Sequence, residues 1–423
     1  MHKNNNKYTI ILLSVFLLAT VLFSCSGEND TNGSIDPSDT IVVEPAKSDN
    51  TIFVFMPWSD LYPALKVNIK DMLTGIKSNG GLGNDKLIIY ICSSSYSADL
   101  IQAHYKKFVK ENSIVDSVIL DTLKRYDHPD YYTTSGISSI LNEVAERVPG
   151  NHYSMIIGSH AIGWISIAAW KSLSGANNAK KAFFSSSSYK LPLTRAFGGI
   201  PNQIENETLA NAIQNSNIKK LRYLLFDDCY MGNMETAYGF RNITEYMVAS
   251  TCEIMSYGMP YVNIWKYLVG NPDYKSICNE FYNFYNNYSS PYGTLSAIDC
   301  SECDDMASVM KEINSKYIFN NNDTIQVLDG INKTIYYDMG DYVKNLCGKN
   351  TELYSKFDIE LNKLVPYHRN TTQFYSYYNG GIPINIKTFS GISISDLSNN
   401  INIANEKLNT SWYVATHNID GSK

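Results

Sequence analysis

Two residues of this chain stand where an open parallel sheet presents catalytic side chains. His160 directly follows the apolar run YSMIIGS, and Cys229 directly follows the run LRYLLFDD. Sheets of that kind hold ligands beyond the carboxyl ends of their strands. If the two strands are neighbours, an imidazole and a thiol face each other across that edge. The pair is the minimum for thiolate attack on an acyl carbon and protonation of the departing amine. Alone, a cysteine after a buried strand is usually inert packing, and a lone histidine is usually a hydrogen-bonded spacer. Their joint position at two strand ends carries the expectation.

The elements that must position the pair are readable as patterns. Continuous apolar runs at Thr51–Met56, Leu87–Cys92, Tyr153–Gly158 and Leu221–Phe226 predict strands covered on both faces. Helical patterns lie between them at Leu61–Ser78, Ser97–Glu111, Thr134–Arg147 and Thr208–Asn215. Alternating strands and helices imply a mostly parallel sheet between two helix layers, an α/β fold. Beyond residue 290 the pattern predicts a strand at Gly293–Ile298, a helix at Asp304–Ser315 and β-like stretches at Ile384–Thr388 and Trp412–Ala415. This C-terminal α/β part, 291–423, is expected to pack on or extend a core spanning 51–290.

With 423 residues, 44% hydrophobic and 18% charged, the chain has material for one large domain or two ordinary ones. Its formal net charge is −6 and it has no basic block, which argues against nucleic acid as a partner. Residues 1–24 read as an export signal, with Lys3 and Lys7 ahead of the apolar run Ile10–Phe23 and Cys25 closing it. Residues 26–50 carry six acidic residues against one Lys and read, with Cys25, as a flexible tether. Seven cysteines remain beyond Cys25, an odd number that leaves at least one thiol outside any intramolecular disulfide. Cys300 and Cys303 form a CxxC that reads as structural or as a local disulfide, since no second pair or nearby histidine completes a zinc set. No metal site is expected.

The segment FDDCYMGNMETAYGFRNITEYMVAS, with Glu253 and Gly258-Met259-Pro260-Tyr261 after it, resembles the cysteine region of the clostripain family of cysteine peptidases. IIGSHAIGW, with His160 and Trp164, is similar to the family's histidine motif, and Arg195-Ala196-Phe197-Gly198 to a segment between the two. Weaker echoes are FSGISIS and TSWYVAT. The resemblance implies a caspase-like α/β/α sandwich with Cys229 as nucleophile and His160 as the group that protonates the leaving amine. It also implies an oxyanion hole of backbone N–H groups at Ala161 and Cys229. Asp227 matches the acidic residue that lines the family's pocket for Lys or Arg. Residues i and i+2 of extended backbone share a side, which would aim Asp227 and Cys229 into one cleft. The end of the signal resembles a lipobox, implying a lipid on Cys25 and a place in the cell envelope, at the outer membrane or cell surface. The resemblance allows calcium as a cofactor and names protein or peptide substrates. It also implies self-cleavage between the two strands, where Ser172–Tyr189 is a Ser-rich stretch with Lys180 and Lys181.

Three positions depart from the family pattern. Ala161 stands for a glycine, Asp228 for an alanine and Tyr257 for a second acid that supports basic specificity. Alternation is expected to turn Asp228 away from Cys229. The reading is therefore a lipid-anchored cysteine endopeptidase. Its alternative is an inactive homologue kept as a surface binding lipoprotein, with Tyr-rich stretches such as Phe281–Tyr288 and Phe374–Tyr378 as a ligand face.

Overall fold

The structure, a computed structural model, describes residues 47–110, 113–169, 203–288, 291–320, 324–349 and 351–417. Cys25, the signal segment, nearly all of the tether, Ser172–Tyr189 and Arg195 lie outside the described residues. The main elements are, in chain order, β1 (Ser48–Met56), α1 (Tyr62–Ser78), β2 (Lys86–Ser94), β3 (Ser97–Lys110), β4 (Ser113–Asp127), α2 (Thr134–Arg147), β5 (Gly150–Gly158), α3 (Asn206–Asn215), β6 (Leu221–Asp227), α4 (Met234–Phe240), β7 (Thr244–Ala249), α5 (Tyr261–Leu268), α6 (Tyr274–Asn286), β8 (Thr294–Asp299), α7 (Cys303–Lys316), β9 (Tyr337–Asp338), α8 (Met339–Cys347), α9 (Glu352–Leu364) and β10 (Tyr367–Asn370).

Nine strands form one sheet in the order β10-β8-β7-β6-β5-β1-β2-β3-β4. The five central strands, β7 through β2, run parallel. Antiparallel strands flank them, β8 and β10 on one side and β3 and β4 on the other. The central strands are buried on both faces, so successive residues feed two cores. Phe53, Phe55, Ile88, Tyr90, Met155, Ile157, Leu224 and Phe226 enter one, against α2, α3, α4 and α7. Ile52, Val54, Met56, Ile89, Ile156, Tyr223 and Leu225 enter the other, against α1, α5 and α6. This double burial is why the strands read as unbroken apolar runs.

Local chemistry sets the helix ends. Thr133 caps α2 by accepting the Gly136 N–H, and Asn233 caps α4 by accepting the Thr236 N–H at 2.7 Å. At Gly75 of α1 an added Cβ would lie 2.6 Å from Cβ of Trp265, so glycine there lets α1 and α5 pack backbone-close.

Two expected elements are corrected. Ser97–Glu111 is not a helix: β3 pairs with β2 and with β4 along a long antiparallel ribbon. Helix-favouring Ala, Leu, Gln and Lys are overridden there, because Ala98 and Leu100, two apart, drop into one core as a strand requires. Trp412–Ala415 is not β-like. A helix spans Ser411–Thr416, capped by Thr410, and drives Trp412 against the ring of Tyr238 with centroids 5.7 Å apart. Aromatic and β-branched content suggested a strand, but the cap and the buried indole decide. Of the stretch Ile384–Thr388, only Ile384–Asn385 pairs as strand, with Gln373–Phe374.

Candidate active site

The parallel ladder between β5 and β6 ends at the pair Gly158 and Asp227. His160 and Cys229 follow at the same offset, so the structure brings imidazole and thiol to adjacent strand ends. Strand order reverses between β1 and β5, the point at which open sheets leave a crevice. Trp58, just past β1, fills that point with its ring edge-on to His160, centroids 4.8 Å apart. His160 is 8% exposed and Cys229 is fully buried. The backbone N–H of Ile254 donates to Cys229 Sγ at 3.2 Å, while the thiol lies 3.7 Å from the Ile254 carbonyl. The loop after β7 therefore cradles the sulfur.

Asp227 faces the same loop. Its carboxylate accepts the Met259 N–H and the Tyr261 hydroxyl, both at 3.0 Å. Asp228 turns the other way, as alternation predicts, and accepts the Ser159 N–H at 2.6 Å. Tyr257 reaches neither: its hydroxyl donates to Asp71 of α1 at 2.7 Å, and its ring stacks on Phe284 of α6 at 4.8 Å. Ala161 is buried and does not carry positive φ. The left-handed residues around the pair are instead Gly163, at φ 72°, and Tyr230, at φ 61°. A non-glycine residue there costs roughly 1–2 kcal/mol, which the surroundings of Tyr230 must offset.

Those surroundings come largely from the C-terminal part. Tyr230 stacks on Tyr336, centroids 5.5 Å apart, and donates its hydroxyl to Glu253 at 2.6 Å. Glu253 also accepts the Ser376 hydroxyl at 2.8 Å and the Tyr377 N–H at 2.9 Å. Burial, reinforced by the charge of Glu253, holds the Tyr378 hydroxyl well above its ordinary range, and Cys229 adds to this. The Tyr336 hydroxyl donates to the Ile162 carbonyl at 2.6 Å. On the far side of the histidine loop the Trp164 indole donates to Ser395 Oγ at 2.8 Å, and Ser395 N–H donates to Glu235 at 2.7 Å. Trp58 and Tyr336 were missed from sequence. Tyr336 meets a partner 174 residues away, and nothing local marks it.

Among the described residues the one set of three acids close enough to share an ion is Glu302, Asp305 and Glu360. It lies away from Cys229, on the turn after β8, α7 and α9, and the Lys363 ammonium pairs with Glu360 at 3.0 Å. That arrangement neutralises one acid and gives calcium no distinct cradle. Cys300 and Cys303 are buried free thiols at the start of α7.

The clostripain family model matches residues 194–380. A secreted C11 cysteine protease from Bacteroides thetaiotaomicron, "iotapain", is 41% identical over 88% of this chain and 100% of its own, with a TM-score of 0.76. A clostripain from the same organism, in complex with the peptide inhibitor BTN-VLTK-AOMK, is 47% identical over 52% of this chain and 99% of its own, with a TM-score of 0.50. An inactive zymogen C11 protease from Parabacteroides distasonis shares the fold at 23% identity, covering 89% of this chain and 100% of its own, with a TM-score of 0.69. No curated protein matches. The mixed sheet flanked by helices, with cysteine and histidine at adjacent strand ends, is the caspase-like architecture of cysteine proteases. The chain belongs to the clostripain family of these proteases.

Proposed function

We propose that this chain is a lipid-anchored, extracytoplasmic cysteine endopeptidase that cleaves protein or peptide substrates through Cys229 and His160. The observation that carries the reading is their equal offset beyond the paired Gly158 and Asp227, in a chain of a cysteine-protease family. The Cys229 thiolate attacks the scissile carbonyl. The resulting oxyanion is met by backbone N–H groups of Ala161 and Cys229, a kind of donor worth about 2.7–4 kcal/mol. Collapse breaks the C–N bond as His160 gives its proton to the departing amine. Water, deprotonated by His160, then attacks the thioester, releases the acid and restores the thiol.

Asp227 supplies negative charge for a Lys or Arg side chain at the cleavage site. A relative's capture of a peptide inhibitor whose amino-acid part, VLTK, ends in Lys supports this preference. Tyr257, occupied with Asp71, contributes no second charge. Cys25 carries the lipid and places the enzyme in the cell envelope; one relative is described as secreted. No helix among the described residues is long and apolar enough to cross a membrane. A thiol-directed peptidyl probe ending in Lys tests the reading: it should label the wild-type protein and not Cys229→Ala. Equal labelling of both would overturn it.

A further inference from the structure

The histidine loop is tied to the cysteine loop twice, once on each side of the reacting pair. On one side the residue before His160 meets the residue before Cys229: Ser159 N–H donates to Asp228 Oδ1 at 2.6 Å, between two fully buried residues. On the other side the Ile162 carbonyl accepts the Tyr336 hydroxyl at 2.6 Å, and the Tyr336 ring stacks on Tyr230, the residue after Cys229. Residues 159 and 162 bracket His160 as residues 228 and 230 bracket Cys229. Glycine at 163 is needed for this approach, since a Cβ there would collide with the Tyr336 hydroxyl and crowd Asn233. Asn233 in turn donates to the Tyr230 carbonyl at 2.7 Å, fixing the same turn from below.

We infer that Asp228 and Tyr336 are positioning residues which set the distance and direction of the His160 imidazole relative to the Cys229 thiol. The inference rests on the peptidase reading given above. The physical need is plain: neither loop is held by the strand ladder, which stops at Gly158 and Asp227. Beyond that point the cysteine loop stays bonded to the chain after β7, through Tyr230 N–H to the Cys252 carbonyl and Gly232 N–H to the Ser250 carbonyl, while the two ties join it to the histidine loop. A carboxyl oxygen accepting a backbone N–H at 2.6 Å makes a short bond, and in a water-poor interior such a bond is stronger than in water. The phenol of Tyr336 adds a second constraint from a segment remote in sequence, so the C-terminal part takes a share in setting the catalytic geometry. Asp228, the departure from the family's alanine, thereby has a role: its carboxyl accepts the N–H of the residue before His160.

The test uses the full chain and a peptide substrate ending in Lys, with rates expressed per site labelled by the peptidyl probe, so that misfolded protein does not count. Asp228→Ala and Tyr336→Phe should each lower kcat by about 10- to 100-fold, the scale of a misplacement near 1 Å, with KM little changed. Asp228→Asn keeps an oxygen for the Ser159 N–H and should recover most of the lost kcat. Tyr336→Phe keeps the ring on Tyr230 and loses one buried bond, so its thermal midpoint should fall by only a few degrees. Wild-type kcat in both Asp228→Ala and Tyr336→Phe would overturn the inference, and so would Asp228→Asn as slow as Asp228→Ala. Cys229→Ala is run alongside: if it still cleaves, the peptidase reading itself fails, whereas an inactive Cys229→Ala with fully active tie variants defeats only the positioning roles.

Discussion

Gly158 and Asp227 are the last register partners of β5 and β6, and from them His160 and Cys229 are reached by the same two steps of chain. A parallel ladder in register therefore delivers both groups to one edge, without any insertion to correct the offset. This relationship makes the first prediction sharp. Cys229→Ala and His160→Ala should each remove nearly all peptidase activity. Cys278→Ala should not, because that thiol lies on α6 against the Tyr367 carbonyl of β10 rather than at the strand end beside His160, and burial pushes it up to about 12. Hydrolysis of a Lys-containing peptide by the three variants is the measurement, and equal loss in all three would reveal a folding effect instead.

Asp227→Asn should depress kcat/KM for cleavage after Lys by tenfold or more, a cost of about 1.4 kcal/mol, while cleavage after an apolar residue changes less. The carboxylate also organises the Met259 N–H and the Tyr261 hydroxyl, so Asp227→Ala should lower stability as well, by about 1–3 kcal/mol for buried groups left unsatisfied. Paired specificity and denaturant measurements separate the two roles. Specificity that does not move in Asp227→Asn would make the residue structural only.

Tyr257→Phe removes the bond to Asp71 and keeps the stack on Phe284. The expected result is a loss of about 1 kcal/mol in unfolding free energy with no change in the Lys preference. A changed preference would put Tyr257 in the pocket.

Stability should fall as pH rises through neutrality. Glu235 is buried beside Asp396, with the Lys407 ammonium facing both, and burial pushes it up to about 8. Burial likewise pushes Asp329 up to about 7 and Asp396 up to about 6. A carboxyl whose folded value lies above its unfolded one holds its proton more tightly in the folded state. Its contribution is whole below the ordinary range of 3.8–4.5 and is lost as pH climbs through the folded value. The lowered acids, such as Asp273 and Glu143, act in the opposite sense but below that range, and His368 and His417, which burial pushes down from 6.5, oppose the decline up to that pH. Urea midpoints should therefore decline between about pH 6.5 and 8, and Glu235→Gln should flatten that decline. A midpoint that climbs over this interval contradicts the assignment.

Lipid attachment predicts that full-length protein made in a bacterial host partitions into detergent, and that Cys25→Ala does not. Wild-type protein recovered in the aqueous phase, with an N-terminus other than Cys25, would remove the anchor from the reading.

The sequence by itself carried four of the five central strands, because residues buried on both faces must be apolar without interruption, and it carried the placement of His160 and Cys229 at two strand ends, because each directly follows such a run; β7 at Thr244–Ala249 was not read. It carried α1 and α2, where helical periodicity agrees with Pro63 in the first turn of α1 and with the Thr133 cap of α2. It could not carry β3, whose residues favour a helix in isolation and become a strand only when β2 and β4 offer backbone partners. Nor could it carry the helix at Ser411–Thr416, whose Trp412 is decided by the ring of Tyr238. Alternation foretold that Asp228 turns away from Cys229, but only the folded chain supplies the Ser159 N–H that it meets there. Tyr336 was invisible for a simpler reason. Its partners are the Ile162 carbonyl and the Tyr230 ring, both far away in the chain, and no local pattern records a contact that exists only once the C-terminal part has closed over the strand ends.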